Sequence, residues 1–241
     1  METKGVVQNA RERVRAAVSA DIVAEARRQL AVEGAASLSL RAVARQLGMA
    51  SSAMYRYFPS RDELLTALIV EGYDALGDVA EGAAAAGAGT TAYKRFRTVC
   101  RAIRGWAFDH PHEYALLYGS PIPGYQAPGL TVGPASRATL VLTGIVLDAH
   151  RAGELTVPDE PPLARAVAAA VRPVGQLAMP GVPLSVVARA LAVWTGLFGQ
   201  ISFELFGRFD GVVDDTDALF DHAVTLMAGQ LGLEPRPARH G

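Results

Sequence analysis

The feature that most constrains this chain is a pair of short segments separated by Gly48 and closed by Pro59. Before Gly48, three apolar residues are spaced to share one face of a two-turn helix: Leu40, Val43 and Leu47. Gly48 allows the left-handed backbone that ends a helix without a Cβ clash. Pro59 limits the next helix to roughly residues 51–57, because the residue before a proline disfavours helical geometry. The spacing predicts a helix-turn-helix, whose second helix lies in a DNA major groove.

Polar residues at the segment starts predict helix caps. Ser39 precedes the first short helix, and its hydroxyl is expected to accept a hydrogen bond from a first-turn N–H. Ser60, followed three residues later by Glu63, has the spacing of a capping box and predicts the start of a long third helix. The three predicted helices would therefore follow one another with defined boundaries.

The second short helix is expected to have one buried face and one exposed face. Met54 and Phe58 are predicted to point inward. The residues left for the outside are Ser51, Ser52, Tyr55 and Tyr57. Core packing is the alternative role for each tyrosine, but two tyrosines at positions i and i+2 cannot both face inward on one helix.

This segment resembles the DNA-binding domain of the TetR family of bacterial transcriptional regulators. The likeness spans about residues 14–69 and is carried by Ser39-Leu40-Arg41-x-Val43-Ala44 and by Met54-Tyr55-Arg56-Tyr57-Phe58-Pro59-Ser60-Arg61-Asp62-Glu63-Leu64-Leu65. One position departs from the family, which usually has Ser or Thr where this chain has Ala50; Ser51 or Ser52 could take over that cap. The resemblance implies phosphate contacts from Tyr55, Tyr57 and Arg61. Ser51 and Ser52 are expected at base edges or phosphates, and Arg41 at either.

The charge distribution is compatible with DNA binding at the N-terminal end. Residues 1–61 hold ten Lys+Arg and five Asp+Glu, a local charge of +5, whereas the remaining 180 residues hold thirteen and nineteen, a local charge of −6. A basic end favours phosphate contact, and an acidic remainder disfavours DNA binding elsewhere on the chain. Ordinary surface charge is the alternative explanation, because +5 is modest for a basic domain.

The rest of the chain predicts an all-α fold, with no strand pattern and no internal repeat. Helices are expected at about 135–151, 162–177, 184–208 and 215–231, with a Gly- and Pro-rich loop at 119–134. The predicted organisation is a flexible N-terminal arm at 1–13, a helix-turn-helix domain at 14–65, a helical effector-binding and dimerisation domain at 66–233, and a disordered tail at 234–241.

The predicted helix at 184–208 is apolar on several faces, which indicates burial on more than one side, and the helix at 215–231 carries a further series of apolar residues. Two such helices from each of two chains could form a four-helix dimer interface, as they do in TetR-like proteins; completing the monomer core is the alternative. The residues predicted at the interface are Trp194, Leu197, Ile201, Leu205, Phe220, Val224 and Met227.

The C-terminal region also resembles the WHG subclass of the family, in the segments 112–128 and 194–206, with Thr195 where the subclass has its name-giving His. This resemblance implies an effector-binding and dimerisation domain without identifying a ligand. Bulky residues of these helices are candidates to line a cavity for a small apolar effector, or to form the core alone. They are Trp106, Tyr114, Leu117, Tyr118, Met179 and Phe198.

Other classes of protein are disfavoured. The chain has no phosphate-binding glycine loop, nucleophile elbow or metal-ligand spacing, so we expect no enzyme activity, no metal and no cofactor. Its single cysteine excludes an intrachain disulfide, and no leader or membrane span is expected, which favours a cytoplasmic protein. The leading hypothesis is a homodimeric repressor that binds a palindromic DNA operator and is released by a small apolar ligand. The alternative is an activator, or a regulator without such a ligand.

Overall fold

The computed structural model describes residues 2–157 and 161–235, with side chains from residue 11 onward. Ten α-helices form within these residues, which contain no β-strand, and the predicted all-α class is confirmed. Contacts between Cα atoms divide the chain into two units. The N-terminal unit contains residues up to Tyr73 together with His110–Val132, and the C-terminal unit contains Asp74–Asp109 together with the described residues from Gly133 onward.

The N-terminal unit holds the predicted helix-turn-helix between two longer helices. Its elements are α1 (Glu2–Glu33), a 3-10 turn (Ala35–Ser37), α2 (Leu40–Gln46), α3 (Ser51–Met54), the first half of α4 (Arg61–Ala86), α6 (Pro111–Tyr118) and a second 3-10 turn (Gly129–Thr131). A buried apolar cluster holds α1 to α4 together, with Ile22, Val43, Met54 and Leu64 fully enclosed in it.

The turn between α2 and α3 forms as the sequence predicts. Gly48 has a φ of 64°, which is the left-handed conformation. The N–H of Met49 donates to the carbonyl of Ala44 at 2.8 Å, and that of Gly48 to Arg45 at 3.2 Å. These bonds satisfy carbonyls at the end of α2, so the short helix ends at a fixed point and α3 leaves in a fixed direction.

The C-terminal unit is built from the remainder of α4 and five further helices. They are α5 (Ala92–Asp109), α7 (Val132–Arg151), α8 (Arg165–Ala178), α9 (Leu184–Leu205) and α10 (Thr216–Gln230). Helix α9 packs against α5, α8 and α10. Helices α7 and α9 are long and apolar enough to cross a membrane by length and composition alone, but core helices of globular units have the same properties.

Three sequence-based boundaries need correction. Residues 2–13, predicted as a flexible arm, are the helical start of α1. The predicted domain boundary at residue 65 lies inside α4, because the N-terminal unit extends to Tyr73 and recruits α6 from later in the chain. α3 ends at Met54, and 55–57 form a turn. Of the predicted disordered tail, residues 236–241 lie outside the described residues.

Candidate nucleic-acid interface

Backbone geometry rather than side-chain caps starts the two short helices. Ser39 lies at the N-cap of α2, but its side chain makes no capping hydrogen bond, contrary to the prediction. Ala50 is the N-cap of α3, so neither Ser51 nor Ser52 takes over that position. At the start of α4, by contrast, the Ser60 hydroxyl accepts a hydrogen bond from the Glu63 N–H at 3.1 Å, as expected. Ser51 and Ser52 therefore do not serve as the N-cap of α3.

Four of the predicted DNA-contacting residues are exposed on α2, α3 and the turn that follows. Arg41 lies in the first turn of α2 and is exposed. Ser51 and Ser52 are the first two residues of α3, and both are exposed. The side chain of Tyr55, one helical turn after Ser51, is 44% exposed. Hydroxyl groups and a guanidinium therefore face solvent where a recognition helix would meet DNA.

Tyr57 differs from its prediction as an outward-facing residue. It is half-buried and packs against the apolar cluster of the N-terminal unit. The guanidinium of Arg15, on α1, lies over its ring at 5.8 Å and donates to the Arg56 carbonyl at 3.1 Å. Tyr57 and Arg15 therefore fix the turn after α3 to α1, and Tyr55 alone of the two tyrosines is well exposed.

Arg61 also differs from its prediction as a phosphate contact. Its Nε donates to the carbonyl of Leu38 at 3.1 Å, and its Nη2 donates to those of Ala35 and Ala36 at 2.8 and 3.1 Å. The acceptors belong to the 3-10 turn and the residue that follows it. Through these three hydrogen bonds Arg61 joins the start of α4 to the chain entering α2, and its guanidinium is directed toward the 3-10 turn.

Two exposed arginines were missed in the sequence. Arg45 lies one turn after Arg41 on the same face of α2, and Arg56 follows Tyr55 directly. Within the part of the chain whose side chains are described, Arg41, Arg45 and Arg56 have no acidic partner, whereas Arg27 pairs with Glu71 and Glu113, and Arg28 with Glu25. The i, i+4 spacing from Arg41 was the available signal for Arg45. Unpaired guanidinium groups thus lie on α2 and beside α3, whereas two arginines of α1 are neutralised.

The C-terminal unit contains an apolar cavity of about 90 Å³. Its wall is formed by residues of α5, α7, α8 and α9, with the two residues that follow α8 and α10. They are Phe96, Ser136, Thr139, Leu140, Leu142, Thr143, Val146, Val174, Ala178, Met179, Ala190, Leu191, Val193, Trp194 and Leu231. Among the residues that the structure describes, no ionisable side chain belongs to this wall.

The six residues predicted to line an effector site are distributed over both units. Met179 belongs to the cavity wall, whereas Trp106 and Phe198 are buried elsewhere in the C-terminal unit. The other three, Tyr114, Leu117 and Tyr118, lie on α6 in the N-terminal unit. There Tyr114 and Tyr118 stack at 5.0 Å, and burial raises the pKa of Tyr118. Of the six residues, Met179 alone belongs to the cavity wall that the described residues form.

The residues predicted at a dimer interface divide into two groups. Four of them have at most 1% exposure and belong to the core of the single chain: Leu197, Ile201, Phe220 and Val224. They cannot meet a partner, because helices of their own unit already cover them. Trp194, Leu205 and Met227 keep partial exposure. Two apolar side chains nearby in sequence are more exposed, namely Phe203 at 56% and Leu226 at 55%.

Comparison with known proteins agrees with the helix-turn-helix and with the helical C-terminal unit. Residues 22–68 match the family described as bacterial regulatory proteins, tetR family. Residues 96–227 match the tetracyclin repressor-like C-terminal domain. The predicted WHG subclass stays a prediction.

Individual relatives extend the likeness over most of the chain. The HTH-type transcriptional regulator Rv1816 of Mycobacterium tuberculosis is 37% identical over 231 residues, which cover 92% of this chain and 95% of that protein. The crystal structure of the regulatory protein SCO4313 is similar with a TM-score of 0.74 and 36% identity, covering 90% of this chain and 98% of that one. PfmR of Thermus thermophilus, a TetR family regulator, shares the fold at 18% identity, with a TM-score of 0.57 and 88% and 98% coverage.

These matches cover both units, and the relatives are named as transcriptional regulators rather than enzymes. The exposed hydroxyl and guanidinium groups of Arg41, Arg45, Ser51, Ser52, Tyr55 and Arg56 lie within the segment that matches the tetR family. The chain belongs to the TetR family and is a helix-turn-helix, DNA-binding transcriptional regulator.

Proposed function

We propose that this regulator is a repressor that binds a palindromic operator as a homodimer in the cytoplasm and leaves it when a small apolar ligand occupies the C-terminal unit. The proposal rests on two observations. One unit carries exposed arginines without acidic partners among the described side chains, on α2 and beside α3, and the other unit contains an apolar cavity. DNA affinity and ligand affinity would thus reside in different parts of one chain, joined by α4.

The dimer is supported by an exposed stripe on α9 and α10, which we call the α9–α10 face. On α9 it contains Thr195, Gly196, Gly199 and Phe203, which recur at helical spacing, and on α10 it contains Leu226. The two helices are adjacent here, since a Cβ on Gly196 would lie 3.4 Å from the Met227 methyl. Small residues allow close approach of a second helix, and large exposed apolar groups favour burial against a second copy.

The oligomeric state tests this face. Phe203→Glu combined with Leu226→Glu should weaken the dimer at least 100-fold by sedimentation, because the interface would have to bury charges without partners. The monomer should stay folded by circular dichroism, since both side chains are exposed within the chain. Leu177→Glu, at an 87% exposed position of α8, is the matched control and should leave the dimer intact. An intact dimer in the double variant would contradict this interface.

DNA binding tests the operator. A two-fold dimer places its α3 helices about one helical turn of DNA apart, about 34–36 Å, or slightly more, so footprinting on DNA flanking the gene should reveal two inverted half-sites. The predicted phosphate and base contacts are Arg41, Ser51, Ser52 and Tyr55, to which the structure leads us to add Arg45 and Arg56. A protected site without inverted symmetry would contradict the dimeric mode of binding.

Release by a ligand is supported by the contacts of α7. One side of α7 supplies Thr139 and Thr143 to the cavity wall. From the same helix, Arg137 donates to Asp74 at 2.9 Å, to Glu81 at 2.8 and 2.9 Å, and to Asp78, all on α4. These bonds lower the pKa of Glu81. Gly77 allows this contact, because a Cβ there would lie 2.8 Å from the Cβ of Arg137.

A displacement of α7 by a ligand would therefore be passed to α4, which runs without interruption back to Arg61. Arg137→Gln should preserve operator affinity and reduce ligand-induced release, as measured by fluorescence anisotropy of labelled operator with and without ligand. Lys94→Gln, which changes an exposed side chain elsewhere in the same unit, is the control and should leave release unchanged. Unchanged release in Arg137→Gln would contradict this route, and activation of transcription by the regulator in a reporter assay would contradict repression.

A further inference from the structure

The face of α1 that packs on the core of the N-terminal unit changes from apolar to basic toward the beginning of the helix. Ile22 and Ala26 belong to the buried apolar cluster, and Val18 packs against it. The preceding positions of the same face are Arg15 and Arg11, because residues three or four apart share one side of a helix. Both arginines are exposed. A basic stripe therefore continues the apolar one.

This basic stripe begins beside the turn that follows α3. Arg15 donates to the Arg56 carbonyl at 3.1 Å, and its guanidinium lies over the Tyr57 ring at 5.8 Å. Arg11 lies about 6 Å further along the axis of α1, at a rise of about 1.5 Å per residue. Every residue at 11–17 is exposed, and Arg11 has no acidic partner among the described side chains. The guanidinium of Arg11 is therefore available to a ligand that lies next to α3.

We propose that this basic stripe of α1 is a second DNA-binding element, in which Arg11 contacts the phosphate backbone beside the groove that α3 enters. Arg15 makes the stripe continuous with the turn after α3, and a guanidinium matches the charge and the paired acceptor oxygens of a phosphate. Such a contact adds affinity and fixes register but reads no base. The inference requires DNA binding alone and does not depend on release by a ligand.

Arg13 provides a matched comparison on the same helix. It is exposed and, like Arg11, has no acidic partner among the described side chains. Two residues correspond to about 200° around a helix, so Arg13 lies on the side of α1 that faces away from the core. Arg13→Gln removes the same charge as Arg11→Gln but from the opposite side. Arg11→Lys keeps the charge on the proposed side.

The experiment measures affinity against salt concentration by fluorescence anisotropy, with the full chain, a labelled duplex of the footprinted site and an unrelated duplex of equal length. In Arg11→Gln the slope of log affinity against log salt should fall by about 2 for a dimer, since each phosphate contact contributes about 0.9. This slope corresponds to a loss of about 30-fold at 0.15 M salt that vanishes toward 1 M. Both duplexes should be affected equally, because the contact reads no sequence. Arg13→Gln and Arg11→Lys should keep the slope of the parent protein.

Several results would overturn the proposal. An unchanged slope in Arg11→Gln would exclude the phosphate contact, and equal effects of Arg11→Gln and Arg13→Gln would assign the attraction to overall charge rather than to this side of α1. A loss confined to the footprinted site would indicate base recognition. Weaker dimerisation of Arg11→Gln in sedimentation without DNA would show that the stripe binds a second copy of the chain. Arg, Gln and Lys have similar helix propensities, so a lower helical signal by circular dichroism in Arg11→Gln would give Arg11 a structural role instead.

Discussion

Three arginines beside the helix-turn-helix differ from five arginines of the C-terminal unit in their acidic partners. In the N-terminal unit, Arg41, Arg45 and Arg56 are exposed without acidic partners among the described side chains. In the C-terminal unit, Arg95 pairs with Asp148, and Arg97 and Arg101 pair with Asp221. Arg104 and Arg137 likewise contact two and three carboxylates.

The comparison shows that Arg41, Arg45 and Arg56 differ from these five arginines in lacking an acidic partner among the described side chains. An unpaired guanidinium can exchange its counterions for phosphate, whereas a paired one must first lose a carboxylate. An arginine in the DNA-binding unit does not necessarily contact DNA. The guanidinium of Arg61 already donates hydrogen bonds to backbone carbonyls of that unit. Four variants test this contrast, from the largest expected effect on stability to the smallest.

Arg104→Ala should have the largest effect. Arg104 bridges Glu204, whose side chain is 4% exposed, and Asp217, so the variant leaves a carboxylate buried without its counter-charge. We expect the free energy of unfolding to fall by about 2–3 kcal/mol, less than for a fully enclosed pair because water reaches Arg104. Chemical denaturation measures the loss, and adding Glu204→Gln should recover part of it. The control Arg101→Ala breaks a surface pair and should cost less than about 1 kcal/mol; equal losses in the two variants would contradict the distinction.

Arg61→Ala should destabilise the N-terminal unit without altering electrostatic attraction to DNA. Three hydrogen bonds to backbone carbonyls are lost, and since those carbonyls are partly solvated we expect a loss of about 1–2 kcal/mol. The slope of log affinity against log salt should stay that of the parent protein. A slope reduced by about 2 for the dimer, with stability unchanged, would restore Arg61 as a phosphate contact.

The Asp221 pair should give a small dependence of stability on pH. Its hydrogen bond from Arg101 lowers the pKa of Asp221 in the folded chain. Because the folded pKa lies below that of the unfolded chain, the stabilisation is present at neutral pH and is lost as the pH falls through the unfolded value of about 3.9 toward the lower folded value. Asp221→Asn should therefore lose less stability than the parent between pH 7 and pH 3 in urea denaturation. An identical loss would show that this pair makes no contribution.

Arg41→Ala should affect stability least and DNA binding clearly. We expect a change in unfolding free energy within about 0.5 kcal/mol, since Arg41 is exposed and has no acidic partner among the described side chains. The salt slope should fall by about 1 for each lost phosphate contact, hence about 2 for a dimer. Arg28→Ala, which removes an arginine already paired with Glu25, is the control and should leave the slope unchanged.

Local patterns predicted most of the fold. The i, i+3 and i+4 apolar spacing and the Gly and Pro positions located α2, α8, α9 and α10 to within a few residues. The start of α1 was missed because its first residues have no apolar stripe at helical spacing, and such a sequence leaves no periodic signal. The inclusion of α6 in the N-terminal unit was also missed, since it depends on packing between segments that are distant in sequence.

For the candidate sites, too, local spacing in the sequence predicted some features and packing between distant segments decided others. The sequence alone determined the helix-turn-helix, its family and the exposed face of α3, because short-range spacing decides which side chains a short helix can bury. Only the tertiary structure decided that Arg61 donates hydrogen bonds to carbonyls of a neighbouring turn and that Tyr57 lies beneath Arg15. It also decided that Leu197 and Phe220 belong to the core of one chain. The physical reason is that pairing and burial depend on which groups approach through space, and composition cannot specify those neighbours.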